Sequence, residues 1–167
     1  MPRYNPNPAE ANAGFPLFRK GDYRFKCAEP KAFDKKDKQT GNVINYGIGI
    51  TVTCVGQAEG SDMIGKKQYV RLYLHTPEAR DYTKQFQMAV FGFTLDKEEE
   101  FNKLAAQEDW SFDTDTGAVG SAWKAMTNKE FIASVSIGKY KDPNNPEAEE
   151  RDTQQWDQYR PIPVPTE

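Results

Sequence analysis

Three large side chains, Tyr69, Arg71 and Tyr73, recur at every second position of one apolar run. Successive side chains of a β-strand point to opposite faces, so both rings and the guanidinium would share one face, while Val70 and Leu72 occupy the other. Exposed rings stack on nucleobases, and a guanidinium binds phosphates or base faces. The spacing therefore indicates a surface for an unpaired nucleic-acid strand. An ordinary sheet surface is the alternative, because aromatic residues favour strands for packing reasons alone.

A lysine-rich segment before the longest strand-like run supplies further cations and one ring. Its members are Lys31, Phe33, Lys35, Lys36 and Lys38. We interpret it as a loop beside the aromatic surface, where lysines would neutralise phosphates and make the affinity depend on salt. A solvated hairpin is the alternative, because Asp34 and Asp37 are interleaved with the lysines.

Arg24 and Lys26 are expected to extend the same surface. They alternate with Tyr23, Phe25 and Cys27, so a strand there would turn both cations away from the core. If this strand shares a sheet with the tyrosine-bearing strand, cations and rings form one face. The predicted nucleic-acid-binding residues are Tyr69, Arg71, Tyr73, Arg24, Lys26, Lys31, Phe33, Lys35, Lys36 and Lys38.

Strands are the main elements that must position these side chains. Apolar residues alternate with a period of two in several runs, which is typical of strands with one buried face. We expect strands at 22–28, 43–55, 67–74 and 130–139, and a fifth with a weaker pattern at 155–162. Turn-like connections separate the first three strands, which predicts an antiparallel meander.

Helical signals fill the stretch between the third and fourth predicted strands. Thr76 and Pro77 are typical of a helix N-cap and first turn, and Gly92 is placed to end that helix. A second helix is predicted over 97–107, with Phe101 and Leu104 facing inward, and an ordered loop over 109–126 follows it. The chain is thus mainly β with a helical insertion, and the element order favours an OB-fold-like five-stranded antiparallel barrel. Another small α+β sheet is the alternative.

Composition and charge suggest how the chain is organised. Its 167 residues suffice for one well-buried domain, to which the 13% aromatic content contributes much of the core. Residues 1–94 carry 14 Lys/Arg against 9 Asp/Glu, a net charge of +5, whereas residues 95–167 carry 8 against 16, a net charge of −8. A basic face with acidic accessory segments is therefore expected. The predicted parts are a flexible arm at 1–18, a domain at 19–142 with its helical insertion at 76–128, and an acidic, proline-rich segment at 143–167.

Catalytic and metal-binding patterns are weak. His75 is the single histidine, the acids at 98–100 scatter around a helix, and 113–117 lacks the glycine and glutamate spacing of a calcium loop. Cys27 and Cys54 lack metal-site spacing, and we expect them to be buried free thiols. We predict a protein that is not an enzyme and has no cofactor. It has no apolar stretch of membrane-spanning length and no secretory signal, so we expect a cytoplasmic protein without a membrane partner.

Several short motifs lie in order along residues 19–142. They are Gly21-x-Tyr23, Lys38-x-Thr40-Gly41-Asn42, Gly65-Lys66 before Arg71-Leu72-x-Leu74, Phe91-Gly92, and Phe131-x-Ala133-x-Val135 with Tyr140. In this pattern the chain resembles small phage-encoded single-stranded DNA-binding proteins with an OB-fold. The proline-rich end departs from the short acidic tail with a terminal Phe found in bacterial proteins of this function.

The resemblance implies sequence-independent coating and protection of single-stranded DNA during phage replication, recombination or repair, in the cytoplasm of the host cell. Single-stranded DNA is then the expected partner, and phage replication or recombination proteins could dock on the acidic C-terminal segment. A homo-oligomer is compatible with this function. The runner-up is a β-barrel protein-interaction module, such as a phage structural or host-modulating protein, and a nuclease is third.

Overall fold

One antiparallel sheet dominates the computed structural model, which describes residues 18–141, 144–147 and 149–163. Its strands are β1 (Gly21–Cys27), β2 (Lys31–Lys36), β3 (Val43–Gln57), β4 (Lys67–Tyr73), β5 (Glu130–Tyr140) and β6 (Arg151–Arg160). The helices are α1 (Pro77–Val90), α2 (Glu98–Ala105) and the single-turn α3 (Ser121–Lys124), with a 3₁₀ turn at Leu95–Lys97. All of them lie in the chain between β4 and β5.

Strand β3 is central because it pairs on both edges. On one edge its first half pairs with β2 and its second half with β1, and on the other edge it pairs with β4. Strand β1 also pairs with β5, which pairs with β6. Every pairing is antiparallel. The predicted meander of β1, β3 and β4 is therefore confirmed, with one additional strand in it.

The additional strand, β2, corrects our prediction that the lysine-rich segment is a loop. Lys31 and Lys35 lie on this strand and are paired with Gly49 and Asn45 of β3. Sequence periodicity missed it because Ala32 is its only buried apolar residue, so pairing with β3, and not an apolar face of its own, forms the strand. A turn closed by backbone hydrogen bonds between Asp37, Gly41 and Asn42 follows it and carries Lys38.

The core lies on one face of the sheet, where the predicted alternation is confirmed. Its fully buried strand residues include Phe25, Cys27, Ile48, Ile50, Val52, Cys54, Phe131 and Ala133. Phe86 of α1 packs edge-on against Phe131, with ring centroids 4.7 Å apart, which fixes the helix on this face. Both cysteines are free and buried, as predicted, and burial raises the pKa of the Cys27 thiol to about 12.

Capping and turn residues set the bounds of the helices. The Thr76 hydroxyl accepts a hydrogen bond from the Ala79 N–H at 3.1 Å, and Pro77 occupies the first turn, as the sequence predicts. Gly92 has a φ of +86°, a conformation that favours glycine, just beyond the end of α1. The second predicted helix is shorter than expected, and only Glu98–Ala105 is α-helical.

The predicted N-terminal arm at 1–18 lies outside the described residues except for Phe18, which is fully buried against the rings of Tyr23 and Phe25. The last strand begins earlier than the predicted 155–162 and ends at Arg160. None of the described helices is both long enough and apolar enough to cross a membrane.

Candidate nucleic-acid interface

The strand register brings the outward side chains of β2, β3 and β4 into two rows across the sheet. Read from β2 through β3 to β4, the rows are Phe33–Gly47–Tyr73 and Lys31–Gly49–Arg71. Because β3 carries glycine in both rows, side chains from its two neighbours face each other across a low floor. The resulting open groove, which we call the outer groove, is lined by Phe33, Asp34, Lys35, Asn45, Tyr69, Arg71 and Tyr73.

Gly47 and Gly49, which form the floor of the outer groove, allow atoms of β4 to lie very close to the β3 backbone. A Cβ at Gly47 would lie 2.1 Å from the carbonyl oxygen of Leu72, and a Cβ at Gly49 would lie 1.7 Å from the hydroxyl of Tyr69. Side-chain carbon atoms do not come that close to other heavy atoms. Glycine at these positions therefore allows the backbone of β4 and the ring of Tyr69 to contact the backbone of β3 directly.

Aromatic and cationic contacts hold the groove side chains in position. The guanidinium carbon of Arg71 lies 5.2 Å from the centre of the Tyr69 ring, within cation–π range. Phe33 and Tyr73 meet edge-on, with ring centroids 5.7 Å apart and an interplanar angle of 81°. Tyr69, Tyr73 and Phe33 are half-buried, whereas Arg71 is exposed. The rings are thus anchored at one side and accessible at another, which is what a stacking platform requires.

The charge of this face is of one sign. The outward positions of β2, β3 and β4, all of which the structure describes, carry Lys31, Lys35, Lys67 and Arg71 and no carboxylate. Within the described residues none of these four cations forms an ion pair with a carboxylate. Asp34 alternates with Phe33 along β2 but also lines the groove, and it forms no ion pair with these cations among the described residues. An anionic ligand would therefore meet cations that have no competing partner.

The remaining predicted residues lie at the margins of this surface. Arg24 donates a hydrogen bond from Nε to Oε1 of Glu130 at 2.7 Å, so a carboxylate already holds its guanidinium. Lys26 lies opposite the same glutamate in the β1–β5 register. Lys36 and Lys38 lie near the hairpin end and are exposed. The structure thus brings together Tyr69, Arg71, Tyr73, Lys31, Phe33 and Lys35.

Two residues of this surface were missed by the sequence analysis. Lys67 extends the outward row of β4, and Asn45 lies opposite Lys35 on β3. The signal for Lys67 was present, because it is in period-two register with Tyr69, whereas Asn45 joins this surface through the pairing of β3 with β2 and no residue of its own strand was chosen. Lys67 is two residues before Tyr69, and Asn45 is two residues before Gly47.

Catalytic groups do not converge on this face. Within the described residues, no three His, Cys, Asp or Glu side chains lie close enough to hold a metal ion. His75 packs its ring against Tyr73 and Tyr46, with centroids 5.6 and 6.2 Å away.

The two floor glycines should differ in their tolerance of a methyl group. Gly47→Ala places a Cβ against the backbone of a paired strand, so we expect it to lower the free energy of unfolding by about 1–3 kcal/mol. Gly49→Ala meets the far end of the Tyr69 side chain, which can rotate away, so the loss should stay below about 1 kcal/mol. Urea denaturation of both variants measures the difference. An equal loss, or a larger one for Gly49→Ala, would contradict this description of the floor.

Comparison with models of protein families gave no match, and a search of curated proteins found none with significant similarity. The function must therefore be argued from the groove itself.

Proposed function

We propose that this protein binds single-stranded DNA without sequence specificity, and that the outer groove is the binding surface. The observation that carries the proposal is the union, on one sheet face, of partly exposed rings with cations that no carboxylate neutralises. Tyr69 and Tyr73 would stack on bases, while Arg71, Lys31 and Lys35 would meet phosphates. Arg24, Lys26, Lys36 and Lys38 would contact a longer strand at the margins.

The groove suits an unpaired strand better than a duplex. In a duplex the flat faces of the bases are stacked on one another and cannot meet a tyrosine ring, whereas a single strand exposes them. Stacking also explains the expected lack of sequence preference, because every base has a π-face. Rings and point charges dominate the groove, so it offers few directional hydrogen bonds with which to read base identity.

An OB-fold-like barrel is the fold that we propose for the whole sheet. Strands β1 and β2 pair with consecutive parts of the same edge of β3, so together they act as one interrupted first strand. Counted in this way, the sheet has the five strands of that fold. Residues of β4 and β6 line a common cleft, so the two ends of the sheet approach each other. This curling supports a partly open barrel.

The biological setting that we propose follows from the sequence resemblance. It is the protection of single-stranded DNA in phage replication, recombination or repair, in the cytoplasm of the host. Docking of other phage proteins on the acidic C-terminal segment is part of the same proposal, and 11 of the 25 side chains of that segment lie outside the described residues.

A protein-interaction module is the second candidate, and one observation favours it. Phe91, Phe101, Leu104 and Trp110 help to line an apolar hollow of about 100 Å³ beside α2. Leu104, which we expected to face inward, is 44% exposed at this hollow. The hollow is smaller than usual ligand pockets of about 300–1,000 Å³. The outer groove therefore remains the better supported site.

Removing one ring of the platform should weaken binding strongly. Tyr73→Ala should raise the dissociation constant for oligo-dT about ten- to a hundredfold, because a stacked base contributes about 1–3 kcal/mol. Fluorescence titration measures the change. Tyr82→Ala is the matched control, since Tyr82 is 67% exposed on α1, and it should bind as the wild type does. If Tyr73→Ala keeps its fold, by melting temperature, and its affinity, the platform is refuted.

The groove cations should set the salt dependence of binding. Arg71→Ala should reduce the slope of log K against log salt concentration by about 0.7, the value expected for one lost phosphate contact on a single strand. Lys103→Ala, which removes an exposed lysine on α2, should leave the slope unchanged. Titrations at four or more salt concentrations give both slopes. Binding by the wild type that is insensitive to salt would favour the protein-interaction module.

A further inference from the structure

A chain of five rings leads out of the outer groove. Phe33 and Tyr73 line the groove, and the Tyr73 ring meets that of His75 edge-on, with centroids 5.6 Å apart. The next contacts are His75 with Tyr46 at 6.2 Å and Tyr46 with Phe112 at 5.8 Å. All five residues keep part of their surface accessible. The aromatic surface therefore does not end with the groove, and we call its outer part, formed by His75, Tyr46 and Phe112, the ring extension.

The end of β4 positions the first member of the ring extension. The N–H of Leu74 donates a hydrogen bond to the carbonyl oxygen of Tyr46 at 2.9 Å, so the pairing of β4 with β3 continues one residue past the end of β4. His75 follows Tyr73 at the same period of two that relates the outward residues of β4. Because its ring also contacts that of Tyr73, His75 continues the outward row of this strand.

The last member, Phe112, belongs to the loop between α2 and α3, which is held against the sheet. Phe112 forms an antiparallel bridge with Val119, and Val119 is buried in the core. The N–H of Ala32 on β2 donates a hydrogen bond to the carbonyl oxygen of Gly117 at 3.0 Å. These contacts tie the loop to the strand that carries Phe33, so the ring of Phe112 has a defined place near the groove.

Burial does not explain an aromatic residue at position 112. Phe112 is 37% exposed and is not one of the buried residues of the core. Its ring stacks on that of Tyr46 with an interplanar angle of 29°. Two acids, Asp113 and Asp115, follow it in the loop. A position beside carboxylates is poor for a phosphate, but the ring suits a base, because stacking needs an accessible flat face and no charge.

We propose that the ring extension binds the part of the DNA strand that leaves the outer groove, and that Phe112 stacks on one of its bases. The inference rests on the proposed function, which it deepens: the loop between α2 and α3 lengthens the binding site at one end. The bound strand passes from the groove cations along Tyr73 and His75 to Phe112. Because rings make this contact, it adds affinity without adding salt dependence.

The experiment measures binding to oligo-dT of increasing length, from about 4 to about 16 nucleotides, which is the range of site sizes of OB-folds. Phe112→Leu removes the ring and keeps an apolar side chain in the loop. On the longest oligonucleotide its dissociation constant should be about five- to tenfold above that of the wild type, the effect of one lost stacked base. On the shortest, which the outer groove holds alone, the two proteins should agree within about twofold.

Control variants separate stacking from a change in structure. Phe112→Tyr keeps the ring and should bind as the wild type does at every length. Tyr82→Leu makes the corresponding change at an exposed ring on α1 and should also bind as the wild type does. The slope of log K against log salt concentration should be the same for Phe112→Leu and the wild type, whereas a disturbed set of groove cations would lower it. Melting temperatures check that the variants are folded.

A second measurement needs only the wild type. Ultraviolet cross-linking with residue-level mass spectrometry should find Phe112 cross-linked to the longest oligo-dT and not to the shortest. This comparison decides the matter if Phe112→Leu proves to be unfolded.

The possible outcomes separate the two proposals. Equal binding by Phe112→Leu and the wild type at every length overturns the ring extension and leaves the outer groove in place. An equally large loss at the shortest and the longest length does the same, because Phe112 would then act on the groove itself. A longest oligonucleotide that forms no cross-link at Phe112 also overturns it. Failure of the wild type to bind oligo-dT of any length overturns the proposed function.

Discussion

The pairing of β3 on both edges is the constraint on which the rest of the structure depends. It holds β2 and β4 on either side of one strand, and glycine at positions 47 and 49 keeps the strip between them low. Larger residues there would meet the β4 backbone and the Tyr69 ring. The rows of cations and rings across the sheet exist because the middle of each row has no side chain.

The whole chain has a net charge of −3, but its cations differ in whether a carboxylate is paired with them. Away from the groove, arginines are held by carboxylates: Arg19 by Asp62, Arg24 by Glu130 and Arg160 by Asp22. These exposed pairs add little stability, but they neutralise their part of the surface. The cations on the outward positions of β2 to β4 have no such partners among the described residues. Local arrangement, and not net charge, therefore determines where a polyanion would bind.

The sequence periodicity alone predicted part of this structure. Alternation along β1, β3 and β4 predicted which side chains turn inward, because one buried face imposes a period of two. It missed β2, whose formation depends on a partner distant in sequence, and it misjudged Leu104, whose exposure depends on how α2 sits on the domain. The ion pair of Arg24 with Glu130 joins residues 106 positions apart, and the cleft between β4 and β6 joins residues more than 80 positions apart. Contacts between residues so far apart produce no periodic pattern within a short stretch of the sequence.

The outer groove is one surface on which the rings of Tyr69 and Tyr73 and the guanidinium of Arg71 meet along β4. Ultraviolet cross-linking of the intact protein to oligo-dT, followed by mass spectrometry of the peptides, tests this account most directly. We expect cross-links in the peptides that contain Phe33, Tyr69 and Tyr73. Cross-links confined to α1 and α2, or a protein that forms none under conditions in which a known single-stranded DNA-binding protein does, would contradict it.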